Sequence, residues 1–149
     1  MTTNIPVARG ATEREAAVQR ALVCDPDAMS ARFLSRALAG AGFAVTTCHT
    51  ATACEALLRV ERPSLLILAL LLPDMDGLAL LRRVRADAGA EYGGAPRVAI
   101  MVSALHAALR AAEAGADAFL HKPISGARLA SMARELLSRP AISRSQSAA

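Results

Sequence analysis

At 149 residues the chain has the size of one ordinary domain, and a hydrophobic content of 54% suffices for a substantial core. Aromatic residues are only 3%, so Leu, Val, Ile, Ala and Met must fill that core. The net charge of +4 favours acidic partners only mildly, because the basic residues are scattered (Arg32 and Arg36; Arg82, Arg83 and Arg85; Arg134 and Arg139) with no helix-turn-helix, zinc finger or basic-aromatic stripe, and nucleic-acid binding is not expected.

The longest apolar run, Leu65 to Leu72, is far shorter than a membrane span. The opening MTTNIPVARG has no apolar signal-peptide core. A cytoplasmic protein without membrane association is the expectation. Cys24, Cys48 and Cys54 are an odd number of cysteines with no export signal, which argues against a disulfide framework. Cys48-His49 with Cys54 nearby matches no zinc-ligand spacing and lacks a second ligand pair, so the three read as small core side chains and no metal is expected.

Along the chain, residues 1–19 are polar, broken by Pro6 and Gly10, and read as a flexible extension in which Thr12–Gln19 has the makings of a short helix. Ala21–Cys24 is a short apolar strand. Ala28–Ala41 is helical, with Phe33, Leu34, Ala37, Leu38 and Ala41 on one face and Gly42 as its stop. Ala44–Thr47 is the second strand. Thr52-Ala53-Cys54-Glu55 fits a capping box ahead of Leu57, Leu58 and Val60. The third strand, Leu65–Ala69, is continuously apolar, as burial on both faces of a parallel sheet requires. Asp76 is placed to cap a helix carrying Leu78, Leu81 and Val84. The Gly-rich Asp87–Pro96 segment reads as a mobile loop. Val98–Val102 is a fourth strand, followed by a helix from Leu105 to Ala114 that ends at Gly115. Ala118–Leu120 is the fifth strand, and Ser125 caps a last helix with Leu129, Met132, Ala133, Leu136 and Leu137. Pro140–Ala149, rich in Ser and Ala, reads as a disordered tail. The domain therefore spans residues 20–139.

Strands alternating with helices call for right-handed crossovers and a sheet covered on both faces. The expected class is α/β, a doubly wound five-stranded parallel sheet. Sites in such sheets lie at the carboxyl ends of the strands. Following the strands in order are Asp25-Pro26-Asp27; then Ala69 itself, with Leu70-Leu71-Leu72-Pro73-Asp74-Met75-Asp76-Gly77 after it; then Ser103-Ala104; then His121-Lys122-Pro123.

These motifs, in this order and each at the end of the right strand, resemble the receiver domain of response regulators in two-component signalling. Ala114-Gly115-Ala116-Asp117-Ala118-Phe119-Leu120 ahead of Lys122-Pro123 adds to the likeness, which runs from about Arg20 to Leu137. The resemblance implies a flavodoxin-like fold with strand order 2-1-3-4-5. It also implies a phosphorylation pocket in which an acidic pair and a third-strand Asp hold Mg²⁺, that Asp accepts a phosphoryl group, and a Lys neutralises its charge. Carried over by position, Lys122 matches the lysine, with a cis bond to Pro123; Ser103 matches the hydroxyl switch; Phe119 matches the switch-like aromatic; Asp25 matches one member of the acidic pair. Pro26 stands where the second carboxylate is expected, with Asp27 displaced by one residue. The acceptor position, four residues before Pro73, is Ala69.

The resemblance with this departure implies a stand-alone, aspartate-less receiver. It is not an enzyme, its Lys122 is paired to a carboxylate, and its Mg²⁺ binding is weak or absent. It signals by phosphorylation-independent protein–protein interaction, with a sensor histidine kinase or another response regulator as partner, or as a homodimer through the fourth and fifth helices. Leu71, two residues past Ala69, is either a contact residue at the pocket rim or tucked under a loop. The fourth helix or its preceding loop is about one turn shorter than the family pattern. His106 and His121 read as surface residues. Two other readings stay open: a residual phosphoacceptor using Asp25 or Asp27, and an unrelated α/β small-ligand-binding protein, for which a Ser103–His121 pair is the only weak catalytic hint.

Overall fold

The computed structural model describes residues 18–87 and 89–140. The chain folds into β1 (Arg20–Cys24), α1 (Ala28–Gly40), β2 (Ala44–Cys48), α2 (Ala51–Glu61), β3 (Leu65–Ala69), α3 (Gly77–Arg85), β4 (Val98–Ser103), α4 (Ala108–Ala114), β5 (Ala118–His121) and α5 (Gly126–Ser138). The strands form one parallel sheet in the order β2-β1-β3-β4-β5. The expected fold class and strand order are thus observed. Most of the N-terminal extension and the tail after Pro140 lie outside the described residues.

The period-2 alternation of strand side chains divides the core into two layers. Ala21, Val23, Leu65, Ile67, Ala69, Val98, Ile100, Val102 and Leu120 face one side, against Leu34 and Leu38 of α1 and Leu129, Ala133 and Leu137 of α5. Leu22, Cys24, Leu66, Leu68, Ala99 and Met101 face the other, against Leu58 of α2, Leu78, Leu81 and Val84 of α3, and Ala111 of α4. Every residue of β3 is buried, as its continuous apolar run required.

Asp76 and Ser125 cap α3 and α5 as expected, accepting from Leu78 N (2.8 Å) and Arg128 N (3.2 Å). The capping box on Thr52 does not form. The N-cap of α2 is Thr50, whose Oγ1 accepts from Ala53 N at 3.1 Å, and Glu55 turns inward instead. It meets Arg83 through two guanidinium nitrogens and accepts from the buried Tyr92 hydroxyl at 3.2 Å. Two acceptors that need a bidentate cation outweigh one exposed capping bond. Phe33, placed on the buried face of α1 by its spacing, is half exposed, and α4 begins at Ala108 rather than Leu105. The loop from Asp87 is anchored at its centre by Tyr92, 1% exposed, with Asp87 accepting from Glu91 N and Tyr92 N.

Candidate functional site

The strand alternation that sends Val23, Ile67 and Leu120 toward α1 and α5 sends the next residue of the same parity, Asp25, Ala69 or Lys122, to that side of the sheet's carboxyl edge. There Asp25 is 1% exposed, and both of its carboxylate oxygens are engaged. Oδ2 accepts from Lys122 Nζ at 2.8 Å, and Oδ1 accepts from Asp27 N at 2.9 Å. Lys122 Nζ also donates to Ser30 Oγ on α1 at 3.2 Å, and Lys122 N donates to the Ser103 carbonyl at 2.8 Å. The Lys122–Pro123 peptide is cis, as the resemblance implied, and so is Ala95–Pro96.

The remaining candidates take local tasks. Asp27 is exposed and is the N-cap of α1, its Oδ2 accepting from Ser30 N at 2.8 Å. Pro26 is exposed and brings no side-chain donor. Ala69 is 5% exposed within the α1/α5 core layer. Ser103 Oγ accepts from Leu105 N at 3.0 Å, while His121 Nε2 lies 2.7 Å from the Ala104 carbonyl oxygen, so each is occupied with a different partner. His121 stacks on His106 with ring centroids 4.3 Å apart, and both are exposed. Phe119 is half-buried against the α2/α3/α4 layer. Leu71 is 62% exposed and is not tucked under a loop.

The Pro73–Gly77 turn explains itself residue by residue. Asp74 reaches α2, accepting from Ala51 N (2.8 Å), Thr52 N (3.0 Å) and Thr52 Oγ1 (2.8 Å), and these bonds hold its carboxyl below the usual carboxylate range. Gly77 crosses the end of β3 so closely that a Cβ there would stand 2.2 Å from the Ala69 carbonyl oxygen, and Gly77 N donates to the Leu70 carbonyl at 2.7 Å. Only a residue without a Cβ permits that approach.

Beside the pocket, Met29 (81% exposed) and Phe33 (49%) join Pro123 and Ile124 in an apolar groove that runs past Lys122. Two further features escaped the sequence reading. One is the Glu55–Arg83–Tyr92 cluster, whose members are distant in sequence. The other is the meeting of Cys24, Cys48 and Cys54, all buried, with their Sγ atoms within 4.8 Å of one another. Cys24 and Cys48 are register partners at the last positions of neighbouring strands, a signal that strand order alone supplies.

A doubly wound parallel sheet with an Asp–Lys pair across its carboxyl edge and a cis Lys-Pro bond defines a flavodoxin-like α/β class. Residues 21–134 match the response regulator receiver domain, and the chain belongs to that family. It is 33% identical over 124 residues to the DNA-binding response regulator MtrA of Mycobacterium tuberculosis, an alignment covering 81% of this chain and 51% of MtrA. It is 34% identical over 101 residues to the transcriptional regulatory protein CseB of Streptomyces coelicolor, covering 66% of this chain and 40% of CseB. The chain thus spans about half the length, or less, of these relatives. Among solved structures it resembles a putative response regulator from Chloroflexus aurantiacus, with a TM-score of 0.74 and 27% identity over 82% of this chain and 99% of the other. The molecule is therefore a receiver domain of two-component signalling. None of its described helices is long and apolar enough to cross a membrane.

Proposed function

We propose that this receiver signals without being phosphorylated, as a protein-binding module whose pocket is closed by its own side chains. The observation that carries the reading is the alanine at position 69, where the family pattern places the acceptor, together with the Asp25–Lys122 pair at 2.8 Å. A methyl group offers neither a nucleophile nor a metal-ligand oxygen. The residues present do not fit Mg²⁺, which requires several oxygen ligands in near-octahedral geometry and gives up water reluctantly. Pro26 and Ala69 supply no side-chain oxygen, and Asp25's oxygens already accept from Lys122 and from Asp27 N. A switch using Asp25 or Asp27 as acceptor is disfavoured on the same grounds, since Asp25 is buried and engaged and Asp27 caps α1.

The partner in this reading is a protein, a sensor histidine kinase or another response regulator. Solvent-exposed Leu71, Met29 and Phe33 around the pocket rim supply the apolar contact that such recognition uses. Differential affinity of a partner for one of two conformations replaces the phosphoryl group as the source of bias. Nucleic acid, membrane and a resident cofactor have no part in it, and the chain carries out no catalysis.

The test is intact-mass analysis after incubation with Mg²⁺ and acetyl phosphate, with Ala69→Asp alongside. The reading expects an unmodified wild type and a variant that gains one phosphoryl group. A modified wild type would refute it, and the modified carboxylate would name the substitute acceptor.

A further inference from the structure

On the opposite side of the sheet edge from Asp25, three cysteines converge from three elements: Cys24 ends β1, Cys48 ends β2, and Cys54 lies in the first turns of α2. They are 0%, 5% and 0% exposed, all are free thiols, and their sulfurs lie within 4.8 Å of one another. We propose that Cys24, Cys48 and Cys54 form a three-sulfur site for monovalent copper. This inference does not depend on how the Asp25 pocket works.

The geometry decides among thiophilic ions. An ion at the centre of a sulfur triangle, about 2.3 Å from each, sets the sulfurs about 4 Å apart. That spacing falls inside the observed 4.8 Å limit. Soft thiolates select monovalent copper, zinc and iron–sulfur clusters. Structural zinc takes four ligands in a tetrahedron, and an iron–sulfur cluster takes four cysteines. Among the described residues this group has three members. The nearest histidine in sequence, His49, has its Nδ1 2.9 Å from the Asp25 carbonyl oxygen. Burial keeps water from completing a fourth position. Monovalent copper accepts three sulfur ligands.

Binding replaces S–H by S–Cu, the displaced protons leave to solvent, and copper stays at +1 throughout, so no oxidant or reductant is consumed. The resulting negative charge lies beside the N-terminal turns of the 11-residue α2, whose dipole favours an anion. Among the described residues, Cys24 Sγ donates weakly to the Thr50 carbonyl at 3.5 Å, and the three thiols also interact with one another. Cys24 immediately precedes Asp25, and Asp25 N donates to the Cys48 carbonyl, so an ion here would fix the β1 and β2 ends beneath the pocket.

The experiment is an anaerobic titration of the reduced full chain with Cu(I) against bicinchoninic acid, with X-ray absorption on the loaded protein and Zn(II) as the comparison ion. Cys48→Ala and Cys54→Ala are tested in parallel, with circular dichroism to confirm folding. The expected result is one Cu(I) per chain, three sulfur neighbours at about 2.3 Å, weaker zinc binding, and a loss of roughly 100-fold or more in each folded variant. If the variants do not fold, the sulfur count in wild type decides alone. Failure to retain Cu(I) against the chelator overturns the proposal. So does a two-sulfur or four-ligand environment, zinc held as tightly as copper, or variants that bind like wild type.

Discussion

Cys24 and Asp25 are consecutive residues that face opposite sides of one sheet, and the two sides treat their chemistry in opposite ways. On the Asp25 side every strong polar group is answered from within the chain: Lys122 and Asp27 N take the carboxylate, Ser30 shares the lysine, and Asp27 itself caps α1. On the Cys24 side three soft donors converge, in contact with one another and with one weak bond from Cys24 Sγ to the Thr50 carbonyl. A buried ion pair is costly to create and costlier to break. Thiols are small enough and apolar enough to rest in a core with weak partners only, and this leaves them available.

Substitutions can break this contrast or sharpen it. The largest effect belongs to Gly77→Ala, because the turn containing Gly77 serves both sides, crossing β3 behind Ala69 and capping α2 through Asp74. A Cβ 2.2 Å from a backbone oxygen forces the chain to move, and denaturant unfolding should show a loss of about 3 kcal/mol or more. Next is Lys122→Met, which strands a carboxylate that is 1% exposed. The cost should be about 3 kcal/mol, at the low end for a broken buried pair because the lysine is partly exposed. Adding Asp25→Asn should restore most of it; a double variant no more stable than Lys122→Met would mean that the pair is not what stabilises the pocket. By contrast, Cys54→Ala on the metal-free protein removes one buried atom and should cost about 1 kcal/mol. A much larger loss would show that the sulfurs are already tied together structurally.

The smallest effect is expected from Asp74→Asn. The bonds from Ala51 N, Thr52 N and Thr52 Oγ1 depress the folded-state pKa of Asp74, so its carboxylate adds stability above the ordinary value of 3.8, and that stability is lost as pH falls through the folded value. Melting temperatures of wild type and variant should differ at neutral pH and converge in acid. A constant gap across that range would place the effect outside the carboxylate.

The fold was legible because it rests on local signals. Leu65–Ala69 and Val98–Val102 are apolar without interruption, and Asp76 and Ser125 stand where helices begin. Asp25 and Lys122 were legible for the same reason, since each directly follows a strand in a sheet whose sites lie at strand ends. Glu55 was misread because a capping box is judged over four residues, whereas the groups that claim this side chain, Arg83 and Tyr92, lie 28 and 37 residues away. Phe33 was misplaced by a spacing rule that cannot see where a helix leaves the sheet edge. The cysteines were judged by spacing along the chain, yet their meeting depends on β2 lying beside β1 in the register that pairs Cys24 with Cys48.

The most direct test of a receiver held without phosphorylation is the amide NMR spectrum of wild type with millimolar Mg²⁺ and acetyl phosphate. Asp27, Leu105 and Lys122 are the reporters, because their amides donate to Asp25, Ser103 Oγ and the Ser103 carbonyl. The account predicts no shift at these three in wild type and clear shifts in Ala69→Asp. Shifts in wild type matching those of the variant would contradict it and show that the pocket still takes up a metal or a phosphoryl group.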